Sequence, residues 1–135
     1  MSTRCQVVVK DSYKEMWFYR HSDGYPEGTL PALKKFMLWV KEGRIRDNVE
    51  QSCGWLVLIG AEEYNYKFVD YVKKVPKTTE ELFNPSDWKC GAFEPCPCRK
   101  EHGDIEFLYT LDIKNLTITV KDLYEEKVEV ITNFE

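Results

Sequence analysis

Apolar and polar positions alternate most clearly in the last third of the chain. Ile105, Phe107, Tyr109, Leu111 and Ile113 alternate with Asp104, Glu106, Leu108, Thr110 and Asp112. This period of two puts successive side chains on opposite faces of a strand. Lys114-Asn115 makes a short turn into Leu116–Lys121, which alternates again, and Val128–Ile131 supplies a final strand. Near the start, Cys5–Lys10 is apolar and β-branched, Asp11–Lys14 has turn chemistry, and Glu15–His21 is rich in aromatics. Residues 4–21 therefore predict a β-hairpin. Met16, Phe18 and Arg20 share one face of its second strand, and Trp17, Tyr19 and His21 share the other. Bulk on both faces predicts a strand covered on both sides or set at an interface.

Ser22–Gly28 is loop by composition, and Thr29 reads as the N-cap of a first helix. Leu30, Leu33, Met37 and Val40 form its apolar stripe, and Gly43 stops it. Asp47-Asn48-Val49-Glu50 has capping-box spacing, with Asp47 as cap. A second helix should run from there to about Lys74, ahead of Pro76, with Val49, Cys53, Leu56 and Gly60 on one face. Gly54 and Gly60 weaken that helix by about 1 kcal/mol each. Close packing against the sheet or a break near Gly60 is therefore expected. Pro76–Trp88 reads as loop.

The order is a hairpin, two helices, then three or four C-terminal strands. With no βαβα alternation, this predicts an α+β domain over 1–135: a mainly antiparallel sheet with helices on one face. Its 135 residues are 43% hydrophobic and 14% aromatic, enough for a core. The formal net charge of −4 gives no basic bias, so duplex nucleic acid is not an expected partner. No apolar run approaches a membrane span, and Met1–Gln6 lacks the apolar stretch of a signal peptide. The default is a cytoplasmic protein whose five Cys are thiols or metal ligands before they are disulfides.

Two segments are rich in functional groups. In Tyr19–Gly28, Arg20, His21, Ser22 and Asp23 lie at the mouth of a hairpin strand, with Tyr25 two residues on. Amides around Gly24 and Gly28, followed by a helix start, suit an anion such as a phosphate. The plainer reading is a tight Asp23-Gly24 loop with Arg20 and His21 on a solvated rim. In Cys90–Glu106, the residues Cys96, Cys98 and His102, with Cys90 as a fourth, are of zinc-ligand type. Their spacing is unusual, one residue rather than two between Cys96 and Cys98. The alternative is a loop with incidental thiols. His102, Asp104 and Glu106 would also alternate onto one face of a strand. There they would bind a divalent metal, act as acid and base, or form a solvated face. No Walker loop, GxGxxG, HExxH or GxSxG is present. Cys5 and Cys53 read as buried packing residues.

Tyr19-Arg20-His21-Ser22-Asp23-Gly24-Tyr25-Pro26, preceded by Thr3-Arg4-Cys5, resembles a family of small phage and prokaryotic proteins. That family also carries a histidine-glycine-aspartate-isoleucine-glutamate strand, matched by His102–Glu106. Cys96-Pro97-Cys98 is not part of the pattern. The resemblance implies a shared site and no particular activity, and it sets up the expectation that the two motifs meet in space. Three functions follow as expectations. The first is a module binding a small anionic, nucleotide-like ligand or a protein partner through Arg20, His21, Asp23, Tyr25, His102, Asp104 and Glu106. The others are a homodimer built on sheet edges, and a metal-assisted hydrolase using His21, Asp23, His102, Asp104 and Glu106.

Overall fold

Strands β1 (Cys5–Lys10) and β2 (Glu15–Arg20) form the expected antiparallel hairpin. In the turn, the Asp11 carboxylate accepts from the backbone N–H groups of Tyr13 and Lys14 at 2.7 and 2.8 Å. A computed structural model describes residues 3–67 and 93–135, with backbone alone for 64–67.

Helix α1 (Pro26–Lys41) begins before Thr29, with Tyr25 at the N-cap. Pro26 presets a helical φ and needs no N–H partner in the first turn. The Thr29 hydroxyl, expected to cap, instead donates to Asp23 O at 2.7 Å and accepts from Arg20 at 3.0 Å. Helix α2 (Val49–Lys67) starts one residue later than the capping-box reading implies. Asn48 caps it by accepting from Gln51 N at 2.9 Å, while Asp47 pairs with Lys114 and Glu50 with Lys14. Asp11 also accepts from Val49 N at 3.1 Å, so one carboxylate ties the hairpin turn to the start of α2. The helix passes Gly54 and Gly60 without a break. A Cβ on Gly60 would overlap the ring of Phe93, the residue just ahead of the strand Glu94–Pro95, so the close approach is to that side chain rather than to the sheet. The remainder of the expected helix, to Lys74, and the Pro76–Trp88 loop lie outside the described residues.

Among the described residues four more strands follow: β3 (Glu94–Pro95), β4 (Phe107–Asp112), β5 (Thr117–Asp122) and β6 (Lys127–Ile131). The sheet order is β3-β2-β1-β4-β5-β6. Four of its neighbour pairs are antiparallel; the central pair, β1 with β4, is parallel. The architecture is α+β, with a mostly antiparallel sheet. Cys5, Val7 and Val9, with Phe18, Tyr109, Leu111, Ile118 and Val120, pack against Leu33, Phe36 and Met37 of α1 and Cys53, Leu56 and Ile59 of α2 in one core. The intervening positions, Gln6 and Val8, point to the opposite face.

One expectation fails in the C-terminal third. β4 starts at Phe107, so His102, Asp104 and Glu106 precede it and do not line one strand face. The approach to β4 is instead a loop whose Glu106 N–H donates to Arg4 O at 2.9 Å, with Ile105 buried. Among the described residues no helix is long and apolar enough to cross a membrane.

Candidate metal centre

Because β3 lies outside β2 and β4 lies beyond β1, residues 96–106 must cross the sheet, and they do so over the face that carries Gln6. Gln6 is fully buried and uses its whole amide to fix this crossover. Nε2 donates to Lys100 O at 2.9 Å and approaches Cys96 Sγ at 3.8 Å, while Oε1 accepts from His102 N at 2.9 Å. A buried amide left unpaired costs roughly 1–3 kcal/mol, so its environment is strongly specified.

Cys96 is anchored by its N–H to Trp17 O at 2.7 Å. Pro97 and the left-handed Arg99 (φ 51°) then fold the chain back, and Arg99 pairs with Glu15 at 3.1 Å. This tight turn compensates for the short cysteine spacing. Cys96 Sγ lies 3.1 Å from Cys98 Sγ and 3.1 Å from His102 Nε2, and Cys98 Sγ lies 3.4 Å from the same nitrogen. Cys96 is buried, His102 half-buried and Cys98 exposed. The three open onto a cleft of about 430 Å³ whose walls include Tyr19, Glu94 and Pro95.

The electrostatics of the two thiols diverge. Burial pushes Cys96 up, whereas the neighbouring Cys96 thiol, and then His102, bring Cys98 down to about 7. Cys5 and Cys53 sit in the core, and burial pushes both up to about 12, which makes them inert. Cys90 lies outside the described residues.

Tyr19 joins this centre to the first polar motif. Its ring stacks on His102 at 5.0 Å, its hydroxyl donates to Asp104 at 3.1 Å, and the same oxygen lies 3.3 Å from His21 Nδ1. Arg4 Nε donates to His21 Nδ1 at 3.3 Å and lies 3.4 Å from the Asp104 carboxylate. Burial first, then the Asp104 bond, pushes the Tyr19 phenol up to about 12, so the hydroxyl keeps its proton.

The first motif thus divides between the faces. Tyr19 and His21 reach the second motif. Arg20 is buried in the core, where it donates to Gly28 O at 3.2 Å and to Thr29, and lies over the Phe93 ring at 4.8 Å. Asp23 accepts from the Tyr25 hydroxyl at 3.2 Å beside the start of α1. Gly24 abuts β1, where a Cβ would meet Cys5 at 2.8 Å, and its carbonyl accepts from the buried Tyr109 hydroxyl at 2.7 Å. His21, Asp23, His102, Asp104 and Glu106 do not gather into one donor set. Among the described residues, the one group of three such side chains with ligand atoms within 4.8 Å of one another is Cys96, Cys98 and His102.

Sequence reasoning missed Gln6 and Arg4. A single amide inside the apolar run Cys5–Val9 is the signal that marks Gln6; Arg4 stood in the Thr3-Arg4-Cys5 motif with no role attached to it. Comparison with family models, curated proteins and solved structures found no match. The site is therefore read from its geometry.

Proposed function

We propose that this protein is a metal-binding module that takes a soft divalent cation, zinc first, through Cys96, Cys98 and His102. The supporting observation is the convergence of two sulfurs and one imidazole nitrogen within 3.1–3.4 Å of one another. Tetrahedral zinc separates such donors by about 3.6–3.8 Å, so accommodating the ion needs an opening of about half an ångström. Thiolate and imidazole donors favour zinc over magnesium or calcium. Three ligands leave one position facing the cleft, where water or an anionic ligand completes the shell. This relocates the anion expectation from Arg20, which is buried, to the metal.

Cobalt titration of the reduced protein tests the reading. One equivalent should produce thiolate-to-cobalt charge transfer and visible bands, both displaced by zinc. Cys98→Ser and His102→Ala should each weaken binding, and Cys90→Ser reports whether the fourth position is open. A folded wild-type protein that gives no thiolate charge-transfer band would sink the proposal.

A second reading, a homodimer, has its own observation. β6 is an edge strand on which Val128 and Val130 are 61% and 59% exposed. An antiparallel copy centred on Val128 would set Lys127 against Glu129 twice. Light scattering should then show a dimer that Val130→Lys dissociates; a monomeric wild type rejects it.

A further inference from the structure

We propose that Cys96 and Cys98 form a dithiol–disulfide couple whose substrates are low-molecular-weight disulfides, and that closing the couple expels the metal. The expulsion, but not the couple itself, rests on the metal-binding reading above.

The argument is geometric. The two sulfurs are 3.1 Å apart, and a disulfide needs about 2.05 Å, so about 1 Å of approach closes the bond. The accessibilities are unequal in a useful order. Cys98 is exposed beside the cleft and can meet a small disulfide, while Cys96 is buried beneath it. Cys96 is held by its N–H to Trp17 O and by Gln6, and so waits within reach of Cys98. His102 Nε2 lies 3.1 Å from Cys96 Sγ and 3.4 Å from Cys98 Sγ, so the imidazole borders both reacting sulfurs. Cys5 and Cys53 are buried in the core and offer no comparable partner.

The exchange balances in two steps. The Cys98 thiolate attacks one sulfur of RSSR, forming the mixed disulfide Cys98–S–SR and releasing RS⁻. The Cys96 thiolate then attacks the Cys98 sulfur, forming Cys96–S–S–Cys98 and releasing a second RS⁻. The protein sulfurs lose two electrons, RSSR gains them, and the two thiol protons end on two RSH. A disulfide sulfur carries no charge and binds zinc poorly, so the ion loses two of its three protein ligands.

The test exposes zinc-loaded and metal-free full-length protein to oxidised glutathione. Intact mass, peptide mapping and a chromogenic zinc chelator supply the readouts. The expected product has lost two hydrogens, maps to a Cys96–Cys98 bridge, releases one zinc per bridge and rebinds it after dithiothreitol. Cys96→Ser should stop at the mixed disulfide on Cys98. A wild-type protein that retains that mixed disulfide, bridges Cys90 instead, or holds zinc with both thiols intact overturns the couple. A protein that never takes zinc yet forms the Cys96–Cys98 bridge refutes the metal reading and leaves the couple standing.

Discussion

The Gln6 side chain accepts the backbone N–H of His102 at 2.9 Å across 96 residues of sequence. With the bond to Lys100 O, it fastens the crossover that carries both cysteines onto the centre of the sheet. Gln6→Leu keeps the volume and removes both bonds. The expected loss is about 1–3 kcal/mol in urea unfolding, from polar groups left unpaired. Cobalt affinity should fall about 10–100-fold, as for other groups that orient a metal ligand. Unchanged affinity in a folded variant would show that the amide stabilises the loop without positioning the donors.

The two glycines of α2 make a matched pair. At Gly60 a methyl group meets the Phe93 ring, and Gly60→Ala should destabilise the protein by about 1–3 kcal/mol. At Gly54 a Cβ meets nothing, and Gly54→Ala should stabilise by about 1 kcal/mol through helix propensity. Thermal melts of both variants check the sign; two changes of the same sign would contradict the packing.

Asp11 gives the fold an acid dependence. The Tyr13 N–H first, then Lys14 and Val49, hold its carboxyl below the ordinary value of 3.8. A folded value below the unfolded one stabilises above 3.8, and that contribution fades as pH falls through the lower folded value. Asp11→Ala should therefore melt below wild type near neutrality. The difference should shrink in acid. A gap that is constant with pH would show that the charge is irrelevant.

Glu126 holds a left-handed backbone at φ 56° in the turn between β5 and β6. Glu126→Asn places a residue tolerant of that conformation there and should raise stability by about 0.5–1 kcal/mol. A destabilised variant would mean that the Glu126 side chain contributes more than its strain costs.

Much of the fold was legible because its signals are local. The Cys5–Lys10 and Glu15–Arg20 hairpin, the α1 stripe and the alternation through Leu111 all follow from side-chain periodicity. The parallel β1–β4 pairing was not legible, since nothing within either strand encodes a partner about a hundred residues away. Helix starts were misplaced for two reasons: Asp47 pairs with the distant Lys114 instead of capping α2, and Pro26 starts α1 three residues ahead of Thr29. The cysteine–histidine site was half visible. Its residue types were plain, but the short Cys96–Cys98 spacing argued against it. Only the turn at Pro97 and Arg99, held by Gln6, brings the donor atoms together.

The parallel seam also bears on how the chain is made. On a ribosome the hairpin emerges before Phe107–Asp112 has been synthesised, so β1 lacks its parallel neighbour until that point. Closing so long a loop is slow compared with forming either hairpin. Until then the nascent hairpin carries a valine-rich strand with one edge unpaired, a surface suited to chaperone capture.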